Sequence, residues 1–266
     1  MATEVTRANS ADHAAAEGGF FDRIARLSER IDYKIADSDE RQEAIFRLRH
    51  QAYVRDGTIL PTASAIFSDR YDQTGNFYLF GLYIDDELAS SVRLHVPSRE
   101  HPDFPSREVF ADVLQPELNA GKVIIDATHF VTDENIARLH RGLPYVTFRL
   151  CILAARYFSA DYILVAARAE HQAFYQRAFN YRVMCEPRPY PLLAKPLGLM
   201  TTHYPSEADE LNQRFPFFRS PLFERRMLFE RPLGSLQPKA KHAPGPNYPI
   251  YSTSLRLDFD QCLALP

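Results

Sequence analysis

The stretch from Lys122 to Asp133, KVIIDATHFVTD, has the apolar content of a buried strand, yet Asp126, Thr128 and His129 stand in its middle. Burying an ionisable group costs several kcal/mol unless the group is paired or changes its protonation state. A carboxylate, a hydroxyl and an imidazole so close together are groups that accept, donate and relay protons. Strand alternation puts Asp126 and Thr128 on one face with Ile124 and Phe130, and His129 on the other with Ile125, Ala127 and Val131. The ordinary role for such a histidine is a hydrogen-bonded core position; for Asp126 it is a partner for a buried arginine.

Two arginines are candidates for that partner. Ile45, Leu48, Ala52 and Tyr53 form an apolar helical stripe, and Arg49 falls inside it, four residues after Ile45. A buried arginine demands a carboxylate. Arg93 lies on SSVRLHV, where alternation groups it with Ser91 and His95. Between them, SDRYD supplies Asp69 and Asp72, a D-x-x-D pair fit to anchor a loop or hold a cationic substrate.

The elements that must position these groups follow from pattern. FFDRIARLSERI (20–31) is a helix, IDYKIA (31–36) a strand, and a helix capped at residues 37–39 runs to Gly57. FYLFGLYI (77–84) and ELASSVRLHV (87–96) form a hairpin about Asp85-Asp86. Residues 98–118 read as a loop with a short helix, and a charged loop follows the central strand. From Pro144 a strongly apolar helix leads to the strand in ADYILVAARAE (160–170), the helix HQAFYQRAF (171–179) and a strand opening at NYRVM. Beyond Cys185 lie 13 of the 19 prolines, and PRPYPLLAKP (187–196) and the tail after Pro232 read as extended arms over a core.

The chain has 266 residues, 45% hydrophobic and 24% charged, with a net charge of −3, the profile of a globular protein with no global attraction to nucleic acid or anionic membrane. Cys151, Cys185 and Cys262 are far apart and odd in number, so neither a disulfide framework nor a metal site is expected. The first residues, MATEVTRANSADHAAAEGG, lack the apolar run of a signal peptide, and no stretch approaches the ~20 apolar residues of a membrane span. A reduced, cytoplasmic protein is the expectation.

The order helix, hairpin, central strand, helix, strand, helix, strand fits a GNAT-like α/β acyltransferase, a mixed sheet whose two adjacent parallel strands splay to admit a thioester arm. RLRHQAY, SDRYD, SSVRLHV and DATHFV follow in the order and spacing of the acyl-homoserine-lactone (LuxI-type) synthases. The chain resembles still more the related FeeM-type N-acyl amino acid synthases, through EHQAFYQRAFNYRVMCEPRPYP and FPFFRSPLFERRMLFERP. The resemblance covers roughly residues 31–231. It implies a polar framework of Arg49, Asp69, Asp72, Arg93 and Asp126, the last standing where the lactone synthases have glutamate, with His129 where they have arginine.

What the resemblance implies is transfer of a long acyl chain from a thioester to the amino group of a free amino acid, with no permanently bound cofactor. Asp126, aided by Thr128 and His129, is the expected base. Arg93 or Arg49 is expected to bind the acceptor's carboxylate, and the splayed strand's free N–H groups to hold the oxyanion. Tyr175 stands where related acetyltransferases place a leaving-thiol donor. Phe148, Leu150, Ile152 and Leu153 are candidates for an acyl tunnel or for plain core. TDENIARLHRGLPYVTF lacks the glycine-rich turn that cradles coenzyme A pyrophosphate at a helix start. The expected donor is therefore acyl-phosphopantetheine on acyl carrier protein, docked by Arg138, His140 and Arg141. The alternatives are a lactone synthase acting on S-adenosylmethionine and a catalytically silent carrier-protein-binding module. Residues 1–18 are expected to be a disordered tail, 19–231 the acyltransferase domain and 232–266 a proline-rich extension.

Overall fold

The computed structural model describes residues 19–74 and 76–230. The expected tail, the extension and Cys262 lie outside the described residues. Residues 19–28 form a helix, α1, that buries Phe20, Ile24 and Leu27. Seven strands make one sheet in the order β1-β2-β3-β4-β5-β7-β6. β1 (Ile31–Ile35), β2 (Phe77–Ile84), β3 (Glu87–His95) and β4 (Ile124–Thr132) run antiparallel in succession. The β2–β3 turn places Asp85 and Asp86 at φ 51° and 65°, the double left-handed geometry that tight hairpins require and aspartate tolerates. β5 (Tyr162–Ala167) pairs parallel to β4, and β7 (Gly198–His203) lies antiparallel between β5 and the two-residue β6 (Arg182–Val183).

α5 (Leu143–Phe158) is apolar almost all round and buries every residue from Leu143 to Ala155. It packs on the sheet face formed by Phe80, Leu82, Val92, Leu94, Ile125 and Ala127, together with α6 (Ala169–Phe179). Phe148, Leu150, Ile152 and Leu153 all belong to this core, at 0–1% exposure. The opposite face, carrying Phe77, Leu79, Ile124 and Leu164, is covered by α2 (Asp39–Arg55) and α3 (Pro105–Asn119).

Two expectations are corrected. The short helix within 98–118 is the 15-residue α3, entered at Pro105 and kinked at Phe110 (φ −121°, ψ 31°). In the charged loop after β4, Glu134–Leu139 form a short helix, α4, whose N-terminus is capped by Asp133 accepting from Asn135 N at 2.9 Å and Ile136 N at 3.0 Å. After the stretch 187–196 the chain returns as β7, then as α7 (Tyr204–Arg214) and α8 (Leu222–Phe229). Several prolines of this region sit in or just before a helical first turn, where a missing N–H costs nothing.

One interruption of the sheet matters most. β4 and β5 pair only from Ile124↔Tyr162 to Ala127↔Val165. Beyond these pairs the two strands part, so the β4 edge from Thr128 onward has no β5 partner, and a cleft opens between them. No helix among the described residues is long and apolar enough to cross a membrane.

Candidate active site

Between the pairs Ser91↔Val131 and Arg93↔Thr128, two steps of β3 span three of β4, so β4 carries an extra residue. His129 sits in this bulge at φ 51°. The left-handed region costs a non-glycine residue about 1–3 kcal/mol, and bulges beside active sites re-aim side chains. The expected alternation therefore fails here. His129 does not turn away from Thr128's surroundings; both side chains reach the same ion pair.

That pair belongs to a closed frame. Arg93, fully buried, donates to Asp69 through Nη1 and Nη2 at 2.6 and 2.8 Å, and through Nε to Thr128 Oγ1 at 3.1 Å. Its Nη1 also lies 2.7 Å from Asp72 Oδ1. Arg49, equally buried, donates to both Asp72 oxygens at 3.0 and 2.8 Å. The D-x-x-D spacing has a local cause as well. Asp69 caps a 3-10 turn, Arg70–Gln73, by accepting from Tyr71 N, while Asp72 reaches back to Asp69 N. Burial pushes both carboxyls up, but Arg93 with His129 outweighs it at Asp69, and Arg49 with Arg93 at Asp72; both are held below the usual carboxylate range. Asp69, Asp72 and His129 each offer a metal-type ligand atom within 4.8 Å of one another. Two guanidiniums already match their charge, so the set is an ion-pair frame.

His129 hangs from this frame into the cleft. Its Nε2 lies 2.8 Å from Asp69 Oδ2 and its Nδ1 2.7 Å from the Tyr53 hydroxyl. Asp69 is ionised and only accepts, so Nε2 carries the proton, and the Nδ1 lone pair receives the Tyr53 O–H. Burial, Arg49 and Arg93 push the imidazole down to about 4, so it is neutral at pH 7. Burial raises Tyr53, which stays a phenol. In the sequence Tyr53 is one more apolar residue of the α2 stripe; its place one turn after Arg49 was the available signal.

Asp126 is placed elsewhere. It pairs with neither arginine; their ion pairs go to Asp69 and Asp72. Its carboxylate accepts from Ser106 N at 3.0 Å and Ser106 Oγ at 2.7 Å, on the α3 side of the sheet, and it is not among the residues lining the cleft. Burial raises it to about 6, against the two Ser106 bonds. Thr128 and Tyr175 do line the cleft, and burial keeps the Tyr175 phenol protonated. Arg138, paired with Glu134, and Arg141 are exposed and His140 is half-buried. Their segment is bracketed by the cleft residues Thr132 and Pro144.

The family model "N-acyl amino acid synthase FeeM" matches residues 44–203, more than half of the 266 residues. The chain belongs to this family. It is an acyltransferase with a GNAT-like fold. Among solved structures, FeeM, an N-acyl amino acid synthase from uncultured soil microbes, superposes with a TM-score of 0.58 at 15% identity, covering 71% of this chain and 98% of FeeM. The lactone synthase LasI gives 0.49 at 11% identity, covering 64% of this chain and 89% of LasI. An acyl-CoA N-acyltransferase from Pseudomonas aeruginosa gives 0.44 at 19% identity, with 64% and 98% covered. At 15% identity the FeeM likeness speaks for the fold alone. No curated protein matches the sequence.

Proposed function

We propose that this acyltransferase moves a long acyl chain from an acyl carrier protein thioester to the amino group of a free amino acid. The observation that carries the reading is a neutral histidine, oriented by a half-buried carboxylate, on the wall of a cleft opened by two parting parallel strands. A thioester arm fits such a cleft as an extra strand beside the unpaired β4 edge, whose main-chain groups then face the developing oxyanion. Attack of the amine on the thioester carbon forms the C–N bond. The amine proton passes to the Tyr53 oxygen as Tyr53 gives its own proton to His129 Nδ1, and Asp69 stabilises the resulting imidazolium. The C–S bond then breaks, with Tyr175 a protonated phenol on the same wall for the departing thiolate. Because the ammonium-like nitrogen becomes acidic only as the C–N bond forms, a weakly basic imidazole suffices. Thr128 holds Arg93 and so fixes Asp69.

Carrier-protein delivery is supported by Arg138, Leu139, His140 and Arg141, a basic segment with one apolar side chain 79% exposed, beside the cleft mouth. Reversing Arg138 and Arg141 to glutamate is expected to raise KM for an acyl carrier protein donor roughly tenfold or more and to leave an acyl-CoA donor unaffected. Equal effects on both donors would remove the docking role.

The reaction itself is tested by mass spectrometry of organic extracts from cells overproducing the protein. New N-acyl amino acids are expected. Asp126→Asn is expected to keep making them, because asparagine retains an oxygen for Ser106 and Asp126 does not line the cleft. Loss of product from a soluble, folded Asp126→Asn variant would restore Asp126 as the base. Lactones in place of N-acyl amino acids, or no acyl product at all, would overturn the reading.

A further inference from the structure

The closed frame of Arg49, Asp69, Asp72 and Arg93 leaves the acceptor's carboxylate without the cation expected for it. Neither arginine lines the cleft. Another does. Arg168 follows β5 directly at the N-cap of α6 and is only 8% exposed, its side chain forming part of the cleft wall. Nη2 donates to Asp56 Oδ2 at 3.1 Å and to His171 Nε2 at 2.6 Å, and Nη1 lies 3.3 Å from Glu170 Oε1. Arg55 Nε lies 3.4 Å from the other Asp56 oxygen, and Lys195 Nζ 3.9 Å from Glu170.

The charge count of this corner is informative. Arg55, Arg168 and Lys195 face Asp56 and Glu170, and His171 is neutral, its Nε2 lone pair receiving the Arg168 N–H and its pKa pushed down to about 4 by burial and by Arg168. One positive charge is left over. The corner also lies close to the reactive wall. Asp56 is three residues after Tyr53, about one helical turn, where α2 stops and Gly57 turns left-handed at φ 61°. Tyr53 in turn bonds His129.

We propose that Arg168 and Asp56 form the acceptor subsite: the guanidinium binds the α-carboxylate of a free amino acid, and the Asp56 carboxylate faces its amino group. This rests on the reading of the reaction as acyl transfer to an amino acid. A cation beside a carboxylate matches a zwitterion. The same pair is a poorer match for the donor arm's phosphodiester, which carries a negative charge to meet Asp56 but no positive group to pair with it. In the subsite the amino nitrogen lies within about one helical turn of the Tyr53 position on α2, on the way to the thioester carbon.

The test uses the purified full chain with an acyl carrier protein donor. The twenty L-amino acids are offered first, then the carboxamide of each one that is acylated. The wild-type enzyme is expected to favour the acid over its amide by roughly 10- to 100-fold in kcat/KM, although the amide's amine is less protonated and intrinsically readier to react. In Arg168→Gln this preference collapses to about unity through a higher acceptor KM, with the donor's KM unchanged, and Arg168→Lys restores part of it. A wild-type enzyme that takes acid and amide alike overturns the subsite without any variant. So does an Arg168→Gln variant that loses both acceptors equally, which makes Arg168 structural, or one that raises the donor's KM, which makes it a phosphate contact. If no amino acid is acylated while the donor is intact, the reading of the reaction fails, and the subsite with it.

Discussion

Asparagine in place of His129 is expected to lower kcat for acyl transfer by roughly 10²- to 10⁴-fold, the range lost with a positioned proton acceptor, while KM for both substrates stays near wild type. Asparagine is the informative choice because residue 129 sits at φ 51°, a conformation that asparagine adopts with little strain. Its amide can bond Tyr53 and Asp69 but cannot take up a proton. Alanine would add backbone strain and leave Asp69 without its His129 contact, so a slow alanine variant would say less. The pH profile gives a second readout. The imidazole accepts only when neutral, and it is held down to about 4; the acidic limb of kcat belonging to it therefore falls near pH 4, well below the ~6.5 of a free histidine. Steady-state rates of the His129→Asn variant and the wild-type protein across this range decide the matter. A variant within about threefold of wild type, or a wild-type limb near 6.5, would take His129 out of the proton path.

The sequence made the framework legible because its parts are locally encoded. Arg49 announces itself as a charge in an apolar stripe, and D-x-x-D announces a capping box whatever else it does. The β2–β3 hairpin, with Asp85-Asp86 between two apolar runs, was readable for the same reason: turn chemistry and alternation are properties of a few adjacent residues. The partners were not legible. Asp72 serves Arg49 across 23 positions, and Asp69 serves both Arg93 and His129; such pairings depend on how α2 and the 3-10 turn lie over β3. His129 shows the limit most clearly. Period-two alternation assigned it to the wrong face, since the bulge that turns it is set by strand register, which no local pattern around DATHFV declares. Asp126 shows another limit: a carboxylate in mid-strand reads as machinery or as an arginine's partner, and no local pattern points to its hydrogen-bond partner, a serine at the start of α3. Arg168 and Asp56 were passed over because each is an ordinary charge at an ordinary helix end, and only the cleft brings them together.

Methionine in place of Arg93 is the change expected to cost the fold most. Arg93 is fully buried and contacts Asp69 and Asp72 on one side and Thr128 on the other, so it ties the loop after α2 to the central strand. Removing one partner of a buried ion pair costs about 3–5 kcal/mol; here Asp69 is left with the Tyr71 N–H and His129, and Asp72 with Arg49 and the Asp69 N–H. Total stabilities are only about 5–15 kcal/mol, so the variant is expected to melt roughly 6–20 °C lower than wild type. The pH dependence separates this cause from a simple packing loss. In the wild type, the Asp69 and Asp72 carboxyls are held below 3.8, so the stability they contribute is complete above that value and is lost as pH falls through their folded pKa values. Without Arg93, Asp69 loses the charge that chiefly opposes its burial and Asp72 keeps only Arg49, so both carboxyls rise. Holding them ionised is then less favourable, and protonation as pH falls relieves part of that cost. The melting-temperature difference between wild type and Arg93→Met is therefore expected to be largest near pH 7 and to shrink steadily toward pH 4. Thermal melts at matched ionic strength measure it directly. A difference that stays constant over that interval would mean that methionine merely packs badly, and that the two aspartates do not depend on Arg93 for their charge. The same frame fixes Asp69 against His129, so the surviving folded fraction of Arg93→Met is expected to transfer acyl groups slowly as well, through a histidine that has lost its orientation while keeping its place in the bulge.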